Sequence, residues 1–123
     1  MRSAVEVAVD TYILASQERD PAVRAQLLEA CFAEDGRMVT RNRELHGRAE
    51  LADLLARFHS NPQLLGIRVI SKIDAHGTTF RYRAVADFRD GPSVEAFDAG
   101  EIDESGRISL ILTFAGALEN AED

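Results

Sequence analysis

Asp98 is a carboxylate in a stretch that otherwise reads as a buried strand. Phe97 and Ala99 flank it, and the residues of its own parity, Val94, Ala96, Gly100 and Ile102, are small or apolar. Strand side chains alternate between two faces, so Asp98 shares the inward face of that set. A carboxyl group there loses water, its pKa rises, and in the protonated form it can donate a hydrogen bond to a ligand oxygen. The competing reading pairs Asp98 with an arginine of a neighbouring strand, where it would only fix register. Tyr12 is the second candidate. It falls on an apolar helical stripe with Val5, Ala8, Val9 and Ile13. Its hydroxyl either meets a ligand or is satisfied by backbone inside a packed core.

Arg81 and Arg83 alternate with Phe80, Tyr82 and Ala84. One set faces inward and the other outward, and the alternation alone does not say which. Inward arginines would suit an anionic or carbonyl-bearing ligand; inward Tyr82 would make an aromatic wall. Phe32, Met38, Phe58 and Tyr82, with Arg83, are the candidates for enclosing a ligand. His46, His59 and His76 are scattered over turns and a helix end, so no metal site is expected from them. Cys31, the one cysteine, sits at helical spacing among apolar residues and reads as a small buried hydrophobe rather than a nucleophile.

The elements that must position these residues fall in two blocks. Ser3 and Glu6 have capping-box spacing for a first helix, and Asp20-Pro21 starts a second. Val23, Leu27, Leu28, Cys31 and Phe32 form the buried stripe of that second helix, and Gly36 ends the segment. A short strand, Arg37 to Arg41, follows, with Asn42-Arg43 as its turn. His46-Gly47 leads into a third helix carrying Leu51, Leu54, Leu55 and Phe58, which Asn61-Pro62 terminates. From Ile67 the pattern alternates. Strands at Ile67 to Asp74, Thr78 to Phe88, Ser93 to Asp103 and Arg107 to Ala115 are joined by His76-Gly77, Asp90-Gly91-Pro92 and Glu104-Ser105-Gly106, an antiparallel meander. Helices packed on one face of a long, bent sheet leave an open mouth between the layers, a natural place for a small ligand.

Composition sets the frame. A chain of 123 residues with 46% apolar residues can bury a core without disulfides or metal. We read it as one α+β domain over residues 1–123, with an acidic tail from Glu119 that includes Glu122 and Asp123. The net charge of −7 argues against nucleic acid, whose phosphates such a surface repels. No apolar run is long enough to span a membrane and no signal-peptide core follows Met1-Arg2, so the expectation is a cytoplasmic protein.

Several strings agree with one family: a tyrosine in the first helix, "CFAEDG" closing the second, "LHGRAEL" opening the third and "FDAGEIDESGRISLILTFAG" at the C-terminal end. With the element order, these resemble the nuclear-transport-factor-2-like superfamily, in particular its SnoaL-like (polyketide cyclase-like) branch, from Ala4 to Leu118. The resemblance implies a cone: a curved mixed or antiparallel sheet covered on one face by three helices. Against the ketosteroid isomerase relatives, Tyr12 falls at the oxyanion tyrosine and Asp98 at the protonated aspartic acid. Thr40 occupies the position of the general base, and threonine cannot take a proton from carbon. Against the limonene-epoxide hydrolase relatives, Arg81 or Arg83 could supply the arginine, but Thr113 stands in place of the final-strand aspartate, so the resemblance does not imply epoxide hydrolysis.

Two readings of function follow. In one, Tyr12 and Asp98 stabilise an enolate of a hydrophobic carbonyl compound, with Asp87 or His46 as candidate bases. In the other, the domain binds a ligand without turning it over or serves for dimerisation. No cofactor is implied. Outward residues such as Phe97 and Ile111 suggest an apolar sheet face and a homodimer.

Overall fold

A computed structural model describes residues 2–122; Met1 and Asp123, the last of the acidic tail residues, lie outside the described part. The first helix, α1 (Ala4–Gln17), begins as its capping box dictates. Ser3 Oγ accepts from the Glu6 N–H at 3.2 Å, and Glu6 Oε1 accepts from the Ser3 N–H at 3.2 Å. Val5, Ala8, Val9, Tyr12 and Ala15 are buried along one side. In α2 (Pro21–Cys31), Asp20 Oδ1 takes the free Ala22 N–H at 2.9 Å, and Pro21 fills a position where no backbone donor is needed. Arg24, almost wholly buried, donates to the Glu18 and Arg19 carbonyls and locks the corner between the two helices.

The second helix is shorter than its pattern suggests. It stops at Cys31, and the chain turns directly into β1 (Phe32–Val39). Phe32 is the C-cap, with φ −121° and ψ 131°, and its side chain is fully buried. Gly36 therefore does not end a helix; it lies within the strand. A Cβ there would stand 2.6 Å from the Phe32 ring and 3.1 Å from the Ile108 carbonyl oxygen. The glycine lets Phe32 fold back over its own strand, where the pairing register also shifts. Val23, on the expected stripe, is 41% exposed.

β2 (Glu44–His46) leads through Gly47, at φ 92°, into α3 (Arg48–His59). The remaining strands are β3 (Leu64–Val69), β4 (Asp74–His76), β5 (Thr79–Phe88), β6 (Val94–Ile102) and β7 (Ile108–Ala115). The sheet runs β2-β1-β7-β6-β5-β3, with β4 paired to the other end of β5. All pairs are antiparallel except β1 with β7, so the sheet is mixed. The strand expected over Ile67 to Asp74 is two strands on one partner: β3 pairs Ala84 to Phe88 and β4 pairs Thr79 to Arg81. Between them the edge stays tied to β5 by Ile70 N–H to the Arg83 carbonyl and by the Arg83 N–H to Ser71 Oγ.

The helices cover one face, α1 against β3, β5 and β6, and α3 against β1 and β2. Leu28, Phe32, Leu51, Ile108 and Ile111 are fully buried between the layers. Each such side chain contributes about 1.5–3 kcal/mol of burial free energy. Ile111, expected on the outer face, belongs to this core, because the β6–β7 register sets it opposite inward-facing Gly100. No helix among the described residues is long and apolar enough to cross a membrane.

Candidate functional site

Three successive inward-facing rows cross β5, β6 and β7. The first is Phe80, Gly100 and Ile111; the second is Tyr82, Asp98 and Thr113; the third is Ala84, Ala96 and Ala115. The first row is packed solid. A Cβ on Gly100 would stand 2.1 Å from the Leu110 carbonyl oxygen and 2.8 Å from the Phe80 ring, so glycine alone lets that ring lie against the sheet. The third row is alanine throughout, with Ala84 and Ala96 lining the space below the helices and Ala115 exposed at the strand end. A cavity of about 300 Å³ opens over it. The second row is the boundary between core and cavity, and it is the polar one.

The cavity is otherwise apolar. Tyr12, Ile13 and Ser16 of α1 face it, with Leu54, Leu55 and Phe58 of α3. Met38 and Thr40 close one side, and Ile67, Val69 and Phe88 the other. Ser16 Oγ is committed to the Ile13 carbonyl at 2.7 Å, and Thr40 Oγ1 points to the Arg43 carbonyl at 3.4 Å. The polar groups left for a ligand are those of Asp98 and its neighbours.

Asp98 is 9% exposed, and its Oδ1 has no hydrogen-bond partner; the same holds for Thr113 Oγ1 on the adjacent strand. Burial holds the Asp98 carboxyl above its ordinary range, while the hydroxyls of Thr113 and Tyr82 pull the other way. Burial also lifts the Tyr12 hydroxyl well above the usual tyrosine range, with the charge of Asp98 adding to it, and Tyr82 behaves alike. Both tyrosines are therefore neutral donors at physiological pH. Cys31, behind them, is 1% exposed, and burial pushes its thiol up to about 12, so it is an inert core residue.

Of the residues singled out from sequence, the structure brings Tyr12, Met38, Thr40, Phe58, Tyr82 and Asp98 to this cavity. Phe32 and Arg83 are not there. Phe32 is part of the packed core, because its strand begins one residue after the helix ends. Arg83 faces outward, where its Nε donates to Glu95 Oε1 at 2.7 Å; Arg81 does the same to Asp74 Oδ2 at 2.7 Å. Tyr82 takes the inward parity instead. The candidate bases also lie outside. Asp87 bonds Arg68 at 2.8 Å and Ser93 at 2.6 Å on the outer face, and those partners hold its carboxyl low. His46 is exposed at the β2 edge, 3.6 Å from Glu44. Ala96, on the inward parity of Asp98, and Thr113, at the place of a relative's aspartate, do line the cavity, and Ser16, Val85 and Ala86 join them without having been singled out. Strand parity with Tyr82 would have found Ala86.

No protein-family model matches the sequence, and no curated protein matches it either. Solved structures do match. A SnoaL-like family protein from Agrobacterium tumefaciens superposes with a TM-score of 0.81 at 22% identity, over 94% of this chain and 100% of that one. An NTF2-like protein from Burkholderia xenovorans matches with a TM-score of 0.71 at 16% identity, over 96% and 87% of the two chains. An epoxide hydrolase of the LEH-like type from M. tuberculosis matches with a TM-score of 0.68 at 20% identity, over 92% and 83%. Three helices on one face of a curved, unclosed mixed sheet, with these neighbours, identify the fold of the chain as NTF2-like.

Proposed function

We propose that the protein binds a small hydrophobic molecule carrying one carbonyl or hydroxyl oxygen, with Tyr12 and Asp98 as the donors that meet that oxygen. The observation that carries this reading is the unpartnered Asp98 Oδ1 at the floor of an otherwise apolar cavity. A buried polar atom without a partner costs about 1–3 kcal/mol, which a ligand supplying the missing hydrogen bond recovers. Protonation of Asp98, favoured by its burial, makes it a donor to a carbonyl. Met38, Thr40, Phe58 and Tyr82 enclose the body of the ligand. Among the described residues, Asp98 is the one carboxyl lining the cavity, and no imidazole or amine joins it there. For that reason the reading is binding rather than isomerisation, which would need a second group to take a proton from carbon.

Calorimetric titration of 2-naphthol tests this. Wild type binds it, and Asp98→Leu, which keeps the branched shape but removes the polar atoms, weakens it by about tenfold or more, as expected for one lost hydrogen bond to a buried group. Tyr12→Phe weakens it less. Equal affinity in wild type and both folded variants would remove the reading.

The same reading includes a homodimer through the outer sheet face. Phe97 and Phe114 are cross-strand partners there, 36% and 59% exposed, with Ala99 and Leu112 beside them. The Arg83–Glu95 pair borders this strip, giving it both charge signs at its rim. A two-fold axis would set the strip against its own copy, an apolar centre with a polar rim. Sedimentation equilibrium of wild type and Phe114→Glu separates dimer from monomer; a wild type that is monomeric at all concentrations would overturn this part.

A further inference from the structure

We infer that the cavity also takes hydrophobic amines in their ammonium form, with Asp98 as the counter-charge. The inference rests on the proposal above that the cavity is a ligand site, but it concerns a different ligand chemistry. A carboxylate buried in a protein is normally paired with a cation. Asp98 has none: no arginine, lysine or histidine lines the cavity among the described residues, and Oδ1 has no partner. The groups facing Asp98 are Tyr82 and Thr113 from the flanking strands and Tyr12 from α1, with Cys31 of α2 behind the tyrosines. All are neutral hydroxyls or a neutral thiol. Arg48, whose charge acts on Cys31, is occupied by the Phe32 carbonyl at 2.9 Å.

The asymmetry of cost favours an incoming cation. An ion pair inside a protein is ordinarily weak because both charges must lose water. Here the carboxyl has already lost its water on folding, so the ligand adds the desolvation of its own ammonium and the release of the proton that burial favours on Asp98. An N–H of that ammonium supplies the hydrogen bond that Oδ1 lacks. The aromatic rings of Tyr12, Tyr82, Phe58 and Phe88 border the same space and present π-electron density to a cation. The net charge of −7 raises the local concentration of cations around the protein. A carboxylate ligand meets the opposite of each of these conditions.

The two ligand classes respond to pH in opposite directions. A carbonyl needs protonated Asp98 as donor, so its affinity falls as pH rises through the raised pKa of that group. An ammonium needs the ionised form, so its affinity rises over the same interval.

The experiment titrates three probes with one hydrocarbon body, 1-adamantylamine, 2-adamantanone and 1-adamantanecarboxylate, into wild type and Asp98→Asn at about pH 8, where the amine is protonated. Asparagine keeps a donor for a carbonyl but carries no charge. The expected result is that the substitution weakens the amine by about tenfold or more and does not weaken the ketone, for which asparagine supplies a donor that the ionised carboxylate lacks, with the carboxylate unbound by wild type. Thermal unfolding of both proteins reports that each is folded. Ketone binding with an amine that is no tighter, or that Asp98→Asn does not weaken, overturns this inference and leaves the ligand site standing. Failure of all three probes, with 2-naphthol also unbound, overturns both. Carboxylate binding as tight as amine binding overturns the inference alone.

Discussion

The two ends of the molecule are built from the same strands and the same helices, yet one is solid and the other hollow. Along β5, β6 and β7 the inward residues change from Phe80, Gly100 and Ile111 at the solid end to Ala84, Ala96 and Ala115 at the hollow end. The backbone path does not explain the difference; side-chain size does. At the solid end, glycines at 36 and 100 let two phenylalanine rings lie flat against the backbone, closer than any Cβ permits. At the hollow end the alanines are too short to meet Leu54 and Phe58 of α3 across the gap. Close packing therefore stabilises one half of the cone, and the other half is free to serve a ligand. The polar row Tyr82, Asp98 and Thr113 sits at the changeover, where it can be buried by the core and still reach the space.

The largest effect that would sharpen this comparison comes from the solid end. Phe32→Ala removes a fully buried ring and is expected to cost about 3–5 kcal/mol in urea unfolding. Phe58→Ala, on a half-buried cavity wall, should cost less than half as much. Equal costs would mean that the cavity wall is packed as tightly as the core.

A middle-sized effect comes from Asp98. Its pKa is raised in the folded state above the ordinary 3.8, so the native protein holds its proton to higher pH than the unfolded chain does. The stability associated with the protonated group is complete below the unfolded pKa and is lost as pH rises through the folded one. Asp98→Asn has no such titration. The stability of the variant relative to wild type should therefore rise with pH from the acid side toward neutrality. A flat difference across that range would place Asp98 in a solvated or cation-paired setting.

The smallest effect is at the outer face. Arg83→Ala breaks an exposed pair with Glu95 and should change stability by about 1 kcal/mol or less. It should leave 2-naphthol affinity unchanged. A clear loss of affinity would return Arg83 to the cavity.

Much of this architecture was legible in the sequence because its signals are local. The capping box at Ser3, the Asp20-Pro21 start and the three turns between the late strands each appear where residue chemistry demands them. The errors have a common cause, which is that long-range packing decided the local outcome. Phe32 continues the helical period of Leu28 and Cys31, and only the parallel pairing of β1 with β7 makes it a strand residue. Arg83 and Tyr82 are equally compatible with either face, and the sheet settles the choice by the register that sets Tyr82 beside Asp98. The break after Val69 has no glycine or proline to announce it. Thr113 stood at a relative's aspartate position, and the β6–β7 register shows why it reaches the site: it is the cross-strand partner of Asp98.

The central claim is that a ligand enters the hollow end and places its polar atom at Asp98. The most direct measurement is a carbon-13 carboxyl spectrum of aspartate-labelled protein, titrated with 2-naphthol, with Asp98 assigned through Asp98→Asn. The account predicts that the Asp98 carboxyl resonance shifts and saturates with the binding curve while the resonances of Asp74 and Asp87, on the outer face, stay fixed. Saturable binding that leaves the Asp98 resonance unmoved would contradict it.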